Sequence, residues 1–118
     1  MGEICQEELN RRIKLHQLWL KDHTKGERLD LSYCNLSYCN LRFSDLRSSD
    51  LSYSNLSYCN LSYCNLSGSN LRNCNLSGSN LSGSDLSNIK YNESTCFMAL
   101  QCPEKGSFIG YKKAKNKI

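Results

Sequence analysis

Leucine recurs with a strict five-residue period through the middle of the chain. The twelve leucines occupy positions 31, 36, 41, 46, 51, 56, 61, 66, 71, 76, 81 and 86, and each follows Asp or Asn. From the second onwards, the residue two before each leucine is Cys or Ser. Neither an α-helix nor a flat strand puts every fifth residue on one face. Short extended segments that turn a corner every five residues do so, with leucine and its small neighbour pointing inward. The pattern therefore predicts an all-β solenoid with four sides.

The N-terminal residues have a helical pattern instead. Apolar residues spaced three and four apart define one face: Leu9, Ile13, His16 and Leu20. This spacing predicts a helix over residues 3–21 that Lys25-Gly26 ends. The first turn of a solenoid exposes apolar side chains and unpaired backbone groups, so we expect the helix to cap it, with Trp19 against the first leucines. Its balanced charge favours capping over membrane binding, and His16 and His23 are expected on the cap surface.

The repeated units resemble the pentapeptide-repeat family, whose pattern is a small residue, Asp or Asn, Leu and two variable positions. Examples are Cys34-Asn35-Leu36-Ser37-Tyr38 and Ser44-Asp45-Leu46-Arg47-Ser48, and the similarity covers residues 29–88. It implies a right-handed quadrilateral β-helix with four pentapeptides per turn, hence about three turns here. The expected organisation is an N-terminal helical cap (1–26), a pentapeptide-repeat β-helix (27–90) and a C-terminal segment (91–118).

The C-terminal segment resembles part of certain bacteriophage and prophage pentapeptide-repeat proteins. The resemblance rests on residues 101–113, QCPEKGSFIGYKK, and on the N-terminal helix. In those relatives the chain continues further, so we expect residues 91–118 to be an incomplete β module, with Lys115-Asn116-Lys117 as a hairpin turn that lacks its return strand.

Cysteine content changes this picture little. Five of the eight cysteines are in the inward position beside leucine and are expected to pack as small apolar residues: Cys34, Cys39, Cys59, Cys64 and Cys74. Thiols stacked twenty residues apart, such as Cys39 and Cys59, do not provide four tetrahedral ligands. We therefore predict no metal and no cofactor. Because the N-terminus has no signal-peptide pattern, we expect a reducing cytoplasm, in a bacterium or a phage-infected host cell.

Charge is unevenly distributed. Residues 31–87 carry three acidic and three basic side chains, whereas residues 88–118 hold six Lys and two Glu and so account for the net charge of +4. The basic patch, Lys112, Lys113, Lys115 and Lys117, is a candidate nucleic-acid contact. Terminal charge runs are more often simply solvated, so nucleic acid is a secondary expectation.

Aromatic residues two after leucine form the other candidate site. With twenty residues per turn, stacked pairs are expected outside the coil: Tyr33 over Tyr53, Tyr38 over Tyr58, and Phe43 over Tyr63. These pairs are either a protein-binding surface or a ladder that stabilises the coil, and the sequence favours the ladder slightly.

No catalytic carboxylate pair, nucleophile with a nearby base, or phosphate-binding loop occurs, so we predict a non-enzymatic protein. The leading hypothesis is a phage or prophage accessory protein that acts as a rigid scaffold for a protein partner. The alternative is a DNA-mimicking modulator of a topoisomerase such as gyrase, as in the quinolone-resistance relatives. Those relatives use a long, acidic, dimeric rod, and the balanced charge here argues against that role. Oligomeric state is not predicted.

Overall fold

Helix α1 (Gln6–Lys21) precedes a coil of short parallel bridges, and a two-stranded parallel pair, β1 (Asp85–Leu86) with β2 (Lys105–Gly106), extends it. The computed structural model describes residues 4–96 and residues 105–106. All but one of these isolated bridges join positions twenty residues apart. The chain thereby forms three stacked layers: residues 29–48, 49–68 and 69–88.

Backbone hydrogen bonds between layers fix this register. Leu36 N–H donates to the Asn55 carbonyl at 2.7 Å, and Asn55 N–H donates to the Cys34 carbonyl at 2.9 Å. Tyr38 N–H adds a third bond to the layer below. Because the same bonds recur on the other sides, neighbouring layers satisfy one another's backbone groups.

A tight turn closes each five-residue unit. Cys39 N–H donates to the Leu36 carbonyl at 3.1 Å. Tyr38, the third residue of this four-residue turn, has φ of 65°. A bond from residue i+3 to residue i with positive φ at i+2 is the signature of a type II turn. The Asn35 Oδ1 also accepts from Ser37 N–H at 3.1 Å and from Ser37 Oγ at 2.8 Å. Asn or Asp before leucine and Ser after it are therefore turn-forming residues.

All twelve leucines of the period are buried, as predicted, with at most 1% of their surface exposed. The inward cysteines are buried too, except Cys39, which is half-buried. Cys39 lies in the first layer, above which the described chain places only α1 and no further coil. Buried hydroxyls and thiols bond to leucine carbonyls, as Ser49 does to Leu46 at 2.6 Å and Cys64 does to Leu41 at 2.7 Å.

Helix α1 lies against the first layer, and its buried stripe is Leu9, Ile13 and His16. Three expectations about this region need correction. The helix begins at Gln6, so residues 4 and 5 lie outside it and residue 3 falls outside the described chain. His16 is fully buried rather than on the surface, because backbone groups of the first layer bond both ring nitrogens. Trp19 stacks on the rings of His16 and His23, at centroid distances of 5.6 and 4.0 Å. It does not join the leucine core.

The ladder continues beyond the last leucine of the period. Asn70 pairs with Lys90, Asn75 with Cys96, and β1 with β2. The step from Asn75 to Cys96 is 21 residues, so one extra residue is accommodated in this side. Thr95 N–H closes the local turn on Asn92, and Thr95 Oγ1 donates to the buried Leu71 carbonyl at 2.8 Å. Part of the C-terminal segment therefore adds to the coil. The predicted hairpin turn at 115–117 lies outside the described residues.

Candidate interaction surface at the aromatic corners

The aromatic residues occupy corners whose backbone is left-handed. Their φ values lie between 57° and 65°, and the set comprises Tyr33, Tyr38, Phe43, Tyr53, Tyr58 and Tyr63. This region is unfavourable for bulky side chains and suits Gly or Asn. The third layer follows that preference, with Asn73, Gly78, Gly83 and Asn88 at the equivalent corners. The first two layers therefore carry aromatic rings at a local conformational cost.

The rings form three stacks, called here the aromatic columns. Their centroid distances and interplanar angles are 4.7 Å and 5° for Tyr33–Tyr53, 5.2 Å and 9° for Tyr38–Tyr58, and 5.2 Å and 13° for Phe43–Tyr63. The predicted stacking is confirmed. Every ring stays more than half exposed, from 52% at Tyr53 to 76% at Tyr38. Stacking thus leaves most of this aromatic surface available to solvent.

Two of the columns rest on glycine. A Cβ added to Gly78 would lie 2.6 Å from two ring carbons of Tyr58, and one added to Gly83 would lie 2.5 Å from the Tyr63 ring. The fourth side differs, since a Cβ on Gly68 would meet only Ser48 Oγ, at 3.5 Å. Glycine below the rings therefore has two functions: it adopts positive φ, and it leaves space for the ring above.

The charges near the columns are few and of both signs. The Arg42 guanidinium lies over Phe43, 4.6 Å from the ring centroid, and 5.9 Å from that of Tyr63. Such cation–π contacts hold Arg against the aromatic surface. Arg47 forms a bidentate pair with Asp45, at 2.8 and 2.7 Å. Burial opposes ionisation of Asp45, but hydrogen bonds from Arg47 keep its pKa below the ordinary value. The surface is therefore aromatic with modest charge.

The buried inward thiols stay protonated and are therefore poor nucleophiles and poor metal ligands. Burial raises the pKa of Cys64 and of Cys74 to about 12, and it raises the pKa of Cys59 further. Metals bind the thiolate, so thiols held protonated by the core are poor ligands. Across residues 4–96 no group of three or more His, Cys, Asp or Glu side chains comes together as a metal site would require.

Sequence reasoning missed the side chains that bond the upper rim of the first layer, meaning its backbone groups facing α1. Gln6 Nε2 donates to the Asn40 carbonyl at 2.9 Å, and Gln6 Oε1 accepts from Asn40 N–H at 3.1 Å. Arg28 Nε donates to the Ser48 carbonyl at 2.6 Å. His16 provides two further bonds. The signal for His16 was its place in the apolar stripe, whereas no local pattern marks Gln6.

The other predicted site cannot be placed. The four lysines of the basic patch, Lys112, Lys113, Lys115 and Lys117, lie outside the described residues. No helix in the described part of the chain combines the length and hydrophobicity that a membrane span requires.

The repeats identify the family. The profile described as "Pentapeptide repeats (8 copies)" matches residues 27–61 and 50–88. Together these segments make up more than half of the chain, so this protein belongs to the pentapeptide-repeat family. The fold of the family is a right-handed quadrilateral β-helix. No curated protein sequence matches the chain.

Solved structures of pentapeptide-repeat proteins are similar to this one. Rfr23 from the cyanobacterium Cyanothece 51142 is 30% identical, with a TM-score of 0.54, over 62% of this chain and 47% of its own. The present chain thus spans about half the length of that protein. A Nostoc PCC 7120 protein is 23% identical, with a TM-score of 0.42, over 86% of this chain and 90% of its own. A protein of the Arabidopsis thaliana thylakoid lumen is 19% identical, with a TM-score of 0.35, over 66% of this chain and 57% of its own.

Proposed function

We propose that this protein is a non-catalytic scaffold: a β-helix of about three turns, capped by α1, that binds a protein partner through its aromatic columns. The observation that carries the proposal is the exposure of six large aromatic side chains on three corners, each more than half accessible to solvent. Within each column the two rings form one continuous exposed aromatic area, and exposed apolar patches, unlike single exposed side chains, are typical of interaction sites. Tyr, Phe and Arg, the residue types found here, are enriched at protein interfaces.

The geometry also suits a rigid partner-binding surface. Each column is fixed by inter-layer backbone bonds, and two columns are seated on glycine. Aromatic side chains held in place lose little conformational entropy when a partner binds. The surface is convex and consists of corners, so a protein partner fits it better than a small-molecule substrate, which requires a concave pocket.

The biological setting belongs to the same proposal. A phage or prophage accessory role and a cytoplasmic location rest on the sequence resemblance of α1 and residues 101–113. The similar solved structures come from cyanobacteria and a plant and provide no support for a phage origin. Modulation of gyrase is the weaker alternative, because three acidic and three basic groups along residues 31–87 generate no negative field of the kind that DNA mimicry needs. Nucleic-acid contact through the terminal lysines is likewise secondary.

Affinity capture with matched variants tests the proposal. The aromatic variant carries Tyr38→Asn, Tyr58→Asn and Tyr63→Asn, since Asn already occupies the equivalent left-handed corners at 73 and 88. The control is Ser48→Asn, at a corner without a ring. We expect a host protein retained by the parent and the control and lost from the aromatic variant, with both variants folded by circular dichroism. Equal retention by a folded aromatic variant would show that the columns have no binding role.

A further inference from the structure

His16 joins α1 to the first layer through both nitrogens of its ring. Leu29 N–H donates to Nδ1 at 2.9 Å, and Nε2–H donates to the Arg47 carbonyl at 2.7 Å. The side chain is fully buried. A neutral imidazole has one donor and one acceptor, so only the tautomer with its proton on Nε2 makes both bonds.

The two backbone partners are at opposite ends of the first layer in sequence. Leu29 begins the layer, where its carbonyl accepts from Asp50 N–H of the second layer, and Arg47 is in its last unit. At the other end of the helix, Gln6 bonds the Asn40 backbone. Between these polar contacts the helix presents only Leu9 and Ile13 to the core. The attachment of α1 therefore depends strongly on His16.

We propose that protonation of His16 in mildly acidic solution releases α1 from the first layer while the coil stays folded. A proton from solvent would bind Nδ1, and the resulting N–H would face Leu29 N–H, which is also a donor. One hydrogen bond is lost, two donors are opposed, and a charge is buried. Release of the helix allows the imidazolium to reach water.

The surrounding groups agree with this direction. Burial is the main factor that lowers the pKa of His16 in the docked state, and the nearby Arg28 and Arg47 lower it further. The Arg47 carbonyl and the Asp45 carboxylate oppose them. A released His16 titrates near its free value of about 6.5. Because the docked pKa is depressed, docking is fully favoured above that value and weakens as pH falls towards the docked pKa.

Release would uncover unpaired backbone groups on the upper rim. These are the N–H of Leu29, the carbonyl of Arg47 and both backbone groups of Asn40. The apolar face of α1 would be exposed at the same time. An open edge of this kind can pair with another extended chain, so acid would convert a closed end of the coil into a binding-competent one.

The test uses Trp19, the chain's one tryptophan, as a reporter. The ring centroid of His23 lies 4.0 Å from that of Trp19, so the reference protein is His23→Gln, which leaves His16 as the one imidazole beside the reporter. The comparison protein is the double variant His16→Gln, His23→Gln. Its side-chain amide at position 16 carries an oxygen acceptor and an N–H donor on one carbon, as the neutral imidazole carries Nδ1 and Nε2–H on one carbon. It can therefore bond both Leu29 N–H and the Arg47 carbonyl, and it does not take up a proton at mildly acidic pH. Nuclear magnetic resonance of backbone amides adds a local measurement at Ile13 and Leu29, with Leu56 of the second layer as an internal control.

We expect the reference protein to show one transition below about pH 6.5, in which the released population rises up to about tenfold per pH unit. Trp19 fluorescence and the Ile13 and Leu29 amides change together, and the Leu56 amide does not. The double variant shows no transition. The same transition in the double variant, a reference protein that does not respond, or simultaneous loss of the Leu56 signal would overturn the proposal. If the double variant does not fold, the nitrogen NMR signals of the His16 ring in the reference protein provide the test. The proposal then requires that Nδ1 of His16 become protonated over the same pH range in which the Leu29 amide becomes accessible to hydrogen exchange.

Discussion

Replacing Tyr58 by glycine sets two opposing effects against each other at one aromatic column. Tyr58 is 59% exposed, so it buries about two-fifths of its side chain, mainly against Tyr38 and Gly78. An aromatic side chain buries about 200 Å² when fully enclosed, so about 80 Å² is lost, corresponding to about 2 kcal/mol of hydrophobic stabilisation. Loss of ring stacking adds about 1 kcal/mol.

Relief of backbone strain acts in the other direction. A non-glycine residue in the left-handed region costs about 1–2 kcal/mol, and Tyr58 has φ of 58°. The greater freedom of glycine in the unfolded chain removes about 0.5–1 kcal/mol of that gain. The net expectation is that Tyr58→Gly lowers the free energy of unfolding by about 2 kcal/mol, and that Tyr58→Ser, which keeps the strain, lowers it by about 3 kcal/mol.

Urea unfolding followed by circular dichroism measures these free energies. Ser48→Gly is the matched control, because Ser48 has φ of 60° at a corner without a ring. We expect it to change stability by less than about 1 kcal/mol. If Tyr58→Gly were as stable as the parent, burial and stacking of the ring would not stabilise the coil. Tyr58 would then make no net contribution to folding stability, which favours an interface role alone.

Two further predictions concern glycine and cysteine. Gly78→Ala should destabilise more than Gly68→Ala by about 1 kcal/mol in the same unfolding assay, because both have φ of 70° but only Gly78 lies under a ring; equal effects would contradict the seating of Tyr58 on Gly78. In the folded protein an alkylating reagent should react with Cys5, Cys39 and Cys96, which are at least partly exposed, and spare Cys59, Cys64 and Cys74, whose burial raises their pKa and keeps them protonated. Mass spectrometry of tryptic peptides identifies the modified sites, and rapid labelling of Cys64 would show that the core opens.

The sequence alone determined the repeating part of this protein. Each five-residue unit contains the residues that form its own structure: leucine and a small residue pack in the core, and Asn or Asp with Ser forms the turn. Layers stacked by a constant twenty-residue step then place Tyr38 over Tyr58 without further information. Periodic local chemistry is sufficient here because each layer contacts only its neighbours.

Only the tertiary structure decided how the repeat ends. Helical periodicity located α1 but did not show that His16 would be buried, that Trp19 would stack on imidazole rings, or that Gln6 would bond Asn40. The sequence pattern also did not indicate the extra residue before Cys96. These features depend on contacts between segments distant in sequence, Gln6 with Asn40 and His16 with Arg47, at a rim where the repeat no longer supplies a partner. Unpaired backbone groups at this rim can form hydrogen bonds with any polar side chain that reaches them. The three-dimensional geometry therefore decides which side chain does so, and no local sequence pattern marks it.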